Sequence, residues 1–191
     1  MSYSDKKIRY FDKPGPENTE ATLKLAKERA KELGIKDIVI ASTYGDTAFK
    51  ALEIFKDMDV NIVVVTISMA FEEEGWIMKP EVRRKLEGLG AKVLTCTHAL
   101  GDDVDSAFTE KYGGFSYKRI VADTLRRFCQ GMKVCVEITL MAADAGLIST
   151  DKEVIAIAGT DRGADTAIVI KPSCTRNFLN LRIREIIAKP R

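Results

Sequence analysis

A chain of 191 residues with 46% hydrophobic and 30% charged residues has the composition of a folded, water-exposed domain and is long enough to bury a substantial core. Its 30 Lys and Arg side chains are interspersed with 28 Asp and Glu for a net charge of +2, so it lacks the one-sided basic field of a nucleic-acid or membrane-surface binder. No apolar stretch approaches the roughly 18 residues of a bilayer span, and the opening "MSYSDKKIRYF" has no apolar core of a secretory signal.

In chain order, residues 8–11 read as a strand closed by Pro14-Gly15-Pro16. Asn18 and Thr19 are N-cap candidates for a helix whose Ala21, Leu25, Ala26, Ala30 and Leu33 recur at helical spacing up to Gly34. Residues 38–41 form a short buried strand, and 47–55 a helix with Ala48, Leu52 and Phe55 on one face. The β-branched run at 62–66 predicts a strand apolar on both faces. Pro80 opens a helix that ends at Gly88 or Gly90, and 92–96 is a further strand. A long polar segment, 98–116, precedes a helix over 117–128. Residues 133–138 read as a strand and 139–145 as a short helix stopped by Gly146. Strands at 154–158 and 166–170 follow, joined by "GTDRGAD", and 181–187 is a last extended segment.

Strands apolar on both faces, alternating with helices, predict an α/β fold: a three-layer, mostly parallel sheet with helices on both faces. The last two strands before the tail are too close for a helical crossover and predict an antiparallel edge hairpin. Residues 1–191 read as a single domain. Cys96, Cys129, Cys135 and Cys174 form no CxxC pair and read as reduced thiols of a cytoplasmic protein. With His98 the sole histidine, no metal site is expected.

The predicted strands finish in hydroxyl-bearing or polar residues: Ser42-Thr43, Thr66 and Ser68, Thr95 to His98, Glu137 and Thr139, and Gly159-Thr160. In a parallel sheet these ends share the edge where open α/β sheets bind ligands. Such a row suits a polyhydroxylated or phosphorylated small molecule; each Ser or Thr alone reads equally as a helix cap. The densest cluster is "STYGDT", at the start of a helix. The first amides there have no intrahelical partner and the helix dipole is positive. Ser42, Thr43 and Thr47 supply hydroxyls, Gly45 allows φ > 0, and Tyr44 and Asp46 complete the loop, which has the logic of a phosphate cradle. Asp46 opposes this if it turns inward, and a turn that merely caps its helix is the competing reading. A second loop, "AGTDRGADTA", brings Thr160, Arg162 and Gly163, with Arg162 able to clamp an anion or to stand exposed on an ordinary hairpin. There is no Walker A motif, GxGxxG, GxSxG or HExxH.

Strand-"STYGDTA"-helix resembles the loop of the pyruvate kinase C-terminal domain that holds an effector's phosphate, and "IAGTDRGADTAIVI" is similar to that domain's last loop and hairpin. "KPGPENTEATLKLAKERAKELGIKDIVIAS", "KVCVEITLMAADAG" and "GADTAIVIKP" extend the likeness to a family of small, mostly archaeal stand-alone proteins with the pyruvate kinase C-terminal domain-like α/β fold. The resemblance implies that Ser42, Thr43, Gly45, Asp46 and Thr47 surround a phosphate. It further implies flavin mononucleotide (FMN) as the ligand and, by analogy alone, a homo-oligomer. It gives no ground for kinase chemistry.

A flavin also needs hydrogen bonds along its ribityl chain and a slot for its ring. Thr66 and the other strand-end hydroxyls could serve the chain. Tyr44, Phe71, Trp76, Phe108, Tyr112, Phe115 and Tyr117 lie beyond the strand ends, where they serve either as a ring slot or as plugs beneath loops. Gly113-Gly114 would let one loop fold down as a lid. His98 and Glu137 are the candidate proton handlers. Three readings stay open: a binder of a phosphorylated cofactor, an enzyme using it or a sugar phosphate through His98 or Glu137, and a non-catalytic interaction domain.

Overall fold

The computed structural model, which describes residues 3–191, contains seven strands and six α-helices that alternate as far as the fourth strand, after which three helices and then three strands follow. The strands are β1 (Arg9–Phe11), β2 (Asp37–Ala41), β3 (Asn61–Val65), β4 (Lys92–Leu94), β5 (Val154–Ala158), β6 (Thr166–Lys171) and β7 (Arg182–Pro190). The helices are α1 (Thr19–Leu33), α2 (Asp46–Phe55), α3 (Pro80–Gly88), α4 (Val104–Tyr112), α5 (Tyr117–Arg126) and α6 (Gln130–Asp144). The sheet order is β1-β7-β6-β5-β2-β3-β4. Four pairings are parallel (β1–β7, β2–β3, β2–β5, β3–β4) and two antiparallel (β5–β6, β6–β7). This is the mostly parallel α/β sheet that the sequence predicts.

The period-2 pattern of the strands splits the core into two layers. Ile38 and Ile40 of β2, with Ile155 and Ile157 of β5, pack with Leu23, Ala26 and Ala30 of α1 and with Ala48, Ala51 and Phe55 of α2. On the opposite face Val39, Val63, Val65, Ala156, Ala158, Ile168 and Ile170 pack with Met132, Cys135, Val136 and Leu140 of α6. Each fully buried Val, Ile, Leu or Phe contributes about 1.5–3 kcal/mol. α1 stops where Gly34 takes the left-handed conformation, φ 65°. Asn18 precedes α1, but its side chain caps nothing in it; the amide donates to the Lys13 and Gly15 carbonyls instead.

Three expectations need correction. Residues 133–138 are not a strand and 139–145 not a separate helix; both belong to α6. The β-branched Val134, Val136, Ile138 and Thr139 mimic a strand. Nearly every residue from Gly131 to Ala143 is buried, which erases the helical polar stripe. The polar segment 98–116 contains α4, which buries no residue and so has no apolar face turned to the core. The hairpin of β5 and β6 is antiparallel but does not lie at the edge: β7 pairs antiparallel with β6, and β1 extends the sheet beyond β7. Both hairpin strands are buried on both faces, and edge position is a long-range property that no local pattern encodes.

The topology fixes where a ligand can sit. From β2 the chain crosses through α2 to β3 on one side, while β5 joins β2 on the other side only after α6. The sheet therefore has a switch point between β2 and β5, and the crevice beyond their carboxyl ends is the expected ligand position.

Candidate functional site

A cavity of about 540 Å³ opens at that crevice. The ladder runs to its floor: the Ser42 amide donates to the Val65 carbonyl at 3.0 Å and the Thr66 amide to Leu94 at 2.9 Å. β2 thus delivers residues 41–47 directly into the lining, and β5 delivers Gly159, Asp161, Arg162 and Gly163. α6 forms a wall through Lys133, Val134, Glu137, Ile138 and Met141, and the loops after β3 and β4 add Trp76, His98 and Asp102.

The start of α2 faces this cavity. Gly45 precedes the helix with φ 96°, and a Cβ there would lie 2.5 Å from Val82 Cγ1 of α3, so only glycine fits both the backbone and the packing. The Phe49 amide closes the first helical bond to the Gly45 carbonyl at 2.9 Å. The Ala48 amide reaches Ser42 Oγ at a long 3.4 Å. The amides of Asp46 and Thr47 meet no acceptor among the described residues. Thr47 is 5% exposed. No fully buried side-chain polar atom lacks a partner among the described residues. Since its hydroxyl makes no protein hydrogen bond, it opens to the cavity.

The facing loop is rigidly held. Asp165 is fully buried and accepts from the Gly15 amide (3.2 Å), the Thr160 amide (3.1 Å) and Thr166 Oγ1 (2.8 Å). Thr19 Oγ1 accepts from the Ala164 amide at 3.0 Å, and Gly163 lies so close to α1 that a Cβ would come within 2.5 Å of Pro16 and Thr19. This scaffold carries Arg162 to the mouth, where its guanidinium lies 4.9 Å from the Tyr44 ring centroid. Arg162 has no carboxylate partner among the described residues. Asp46 and Asp161 are exposed at the same mouth and oppose an anion, so amides, hydroxyls and Arg162 must supply the attraction.

On the other side His98 Nδ1 lies 2.6 Å from Asp102 Oδ2, with the imidazole side chain 14% exposed. Asp102 adopts φ 54°, a conformation that Asp tolerates better than most residues. The Phe71 ring lies between those of His98 and Trp76, with centroids at 6.3 and 6.0 Å. Glu137 pairs with Lys133 at 2.5 Å, and its other oxygen accepts the Leu100 amide at 3.0 Å.

The structure therefore brings Ser42, Thr43, Tyr44, Asp46, Thr47, Thr66, His98, Glu137, Arg162 and Gly163 to one cavity. Gly45, Gly114 and Thr160 stay outside its lining: Gly45 faces Val82, Gly114 lies in the turn between α4 and α5, and the Thr160 amide is committed to Asp165. Thr66 lines the cavity, but its hydroxyl is held by the Ile67 carbonyl and Thr95 Oγ1. Glu137 reaches the site from a helix, not from a strand end. Of the aromatic candidates, Tyr44 and Trp76 line the cavity and Phe71 backs it. Phe108, Tyr112, Phe115 and Tyr117 are exposed on α4, α5 and the turn between them and pair with one another instead. Lys133 and Asp102 lack a signal while 133–138 reads as a strand and 98–116 as loop. The spacing of four residues to Glu137 and to His98 would have found them.

Residues 20–170 match the family described as pyruvate kinase, alpha/beta domain. Among solved structures, a Cryptosporidium parvum pyruvate kinase is 18% identical over 79% of this chain and 22% of its own, with a TM-score of 0.41. The same organism's enzyme in complex with ADP is 18% identical over 87% of this chain and 23% of its own, also at TM-score 0.41. The chain thus spans under a quarter of the length of those enzymes. The chain belongs to the pyruvate kinase α/β domain family.

Proposed function

We propose, from that membership and the geometry of the cavity, that the chain binds a phosphorylated small molecule at the carboxyl edge of its sheet, with FMN as the ligand. The observation that carries this reading is the unsatisfied start of α2. The Asp46 and Thr47 amides and the Thr47 hydroxyl face a cavity large enough for such a molecule, and Arg162 stands beside them without a carboxylate partner. A helix N-terminus contributes up to about 2 kcal/mol to an anion, and each hydrogen bond to a charged group about 1.5–3 kcal/mol. Together these outweigh the exposed Asp46 and Asp161, whose repulsion is screened by water and salt. Beyond the phosphate end, the apolar Val134, Ile138 and Met141 and the indole of Trp76 suit a planar ring. A bound flavin would supply redox chemistry, and the chain's own residues would hold and orient it.

The pairing of His98 with Asp102 favours a second reading, an enzyme in which His98 handles a proton. A carboxylate within hydrogen-bond reach fixes an imidazole's tautomer and orientation, as a general base requires. Glu137 suits that role less, because both of its oxygens are engaged. The third reading, a non-catalytic interaction domain, rests on the family alone.

Titration calorimetry with FMN, riboflavin and inorganic phosphate tests the proposal. FMN should bind at least about tenfold more tightly than riboflavin, from one lost set of charged hydrogen bonds, and Thr47→Ala should weaken FMN and inorganic phosphate but not riboflavin. Equal affinity for FMN and riboflavin, or no binding of FMN and phosphate, overturns it.

A further inference from the structure

Lys133 and Glu137 form a buried ion pair in the cavity wall, their side chains 9% and 5% exposed. Lysine is almost never this buried without a reason. Stability is a poor one, because an apolar pair of similar volume is often as stable or more so, and the neighbouring Val134, Ile138 and Met141 show that this wall accepts apolar side chains. An ammonium carries three N–H donors. One goes to Glu137 Oε2, and the other two meet no acceptor among the described residues. The carboxylate is fixed from behind by the Leu100 amide, so the ammonium is held in place on the cavity side.

We infer that Lys133 is a ligand-selecting residue of this cavity, donating hydrogen bonds to a carbonyl-type or ring-nitrogen acceptor in the part of the ligand remote from its phosphate, with Glu137 as the residue that positions it. This rests on the phosphorylated-ligand reading above and deepens it. Glu137 already neutralises the ammonium. The pair therefore offers directed donors with no net charge, which fits a neutral or weakly anionic ring acceptor and discriminates against a second phosphate. The ligand class is a phosphate ester of a ring that bears carbonyl groups. A simple sugar phosphate leaves the two donors unmet at a cost in affinity.

Calorimetry with FMN and ribose 5-phosphate as probes tests this. The parent protein should prefer FMN by about 10-fold or more. Lys133→Met should lose most of that preference while its affinity for ribose 5-phosphate stays within about twofold, since the phosphate end is untouched. Glu137→Gln leaves the Lys133 donors present but has one carbonyl oxygen for the Leu100 amide and the ammonium together, so it should lose part of the preference, less than Lys133→Met; a purely structural pair would leave the preference of every folded variant at the parent's value. If Lys133→Met unfolds around an orphaned carboxylate, Lys133→Met/Glu137→Leu removes both charges and should fold, with its thermal midpoint as the check. A folded variant without Lys133 that still prefers FMN as the parent does overturns the inference. So does a parent protein that binds the two probes equally, which leaves the phosphate site standing. Failure of both probes to bind removes the site and this inference together.

Discussion

Gly45→Ala examines the hinge on which the cradle depends. At φ 96° an L-residue is strained, by about 1–2 kcal/mol in the left-handed region. The new methyl would also sit 2.5 Å from Val82 Cγ1, and overpacking of this kind costs about 1–3 kcal/mol. The sum, about 2–5 kcal/mol, lowers the thermal midpoint by roughly 4–20 °C at 2–4 °C per kcal/mol for a chain of this size. Val82→Ala removes the clash but not the backbone strain, so the double variant should recover about 1–3 kcal/mol relative to additivity. Denaturant unfolding of the four-member cycle measures this, and phosphate titration of the folded variants measures the cradle, whose affinity should fall about tenfold as the Asp46 and Thr47 amides shift. A Gly45→Ala protein within about 0.5 kcal/mol of the parent, or strict additivity with Val82→Ala, refutes the packing argument.

Arg162→Ala should weaken FMN or phosphate binding about 10- to 100-fold from the lost charged hydrogen bonds. It should leave stability within about 0.5 kcal/mol because the side chain is exposed; calorimetry and thermal melts check the two. Asp46→Asn should strengthen binding of the same anions about 2- to 5-fold by removing an exposed like charge at the mouth, an effect that shrinks as salt rises. The Lys27 and Lys31 ammonium groups hold the Asp57 carboxyl down from 3.8 to about 2. A carboxyl lowered in the fold stabilises above its ordinary value, and the contribution fades as pH falls through the folded value. Its NMR titration should therefore centre near pH 2 and return towards its ordinary range in Lys27→Met/Lys31→Met. Burial, with smaller contributions from Cys129 and Asp165, pushes the Cys135 thiol well up, so a thiol reagent at pH 8 should label it only after denaturation.

The strands of the sheet are readable from sequence because β-branched runs such as 62–65 are short and bounded by polar residues. The same signal misleads at α6. A helix walled by the sheet on one side and by α5 and the loops on others has no polar face to reveal its period, and its Val and Ile then imitate a strand. Length is the better guide there, since the apolar run from Met132 to Ala143 exceeds the usual strand. For α4 the case is the opposite: Val104, Phe108 and Tyr112 do recur at helical spacing within the polar segment, but the face they mark is exposed and packs on nothing in the core. The place of the β5–β6 hairpin depends on β7 and β1, whose pairing joins the two ends of the chain, and local chemistry carries no information on it.

The candidate site divides along the same line between side chains and backbone. Ser42, Thr43, Thr47 and Arg162 stand out because their types suit phosphate and they gather at turn signals. Glu137 stands out for a reason independent of secondary structure: a carboxylate inside an apolar run needs a partner wherever the chain takes it. Its partner could not be named from a strand, where residues four apart share a face but lie too far along it to pair (about 13 Å at 3.3 Å per residue). On a helix the same four-residue spacing brings Lys133 and Glu137 into contact, so the strand-like pattern that hides α6 hides the ion pair with it. The amides at the start of α2 leave no trace in residue type at all. They become a feature only when the fold leaves them facing a cavity instead of protein, and for that reason the cradle is argued from hydrogen bonds that the chain does not make.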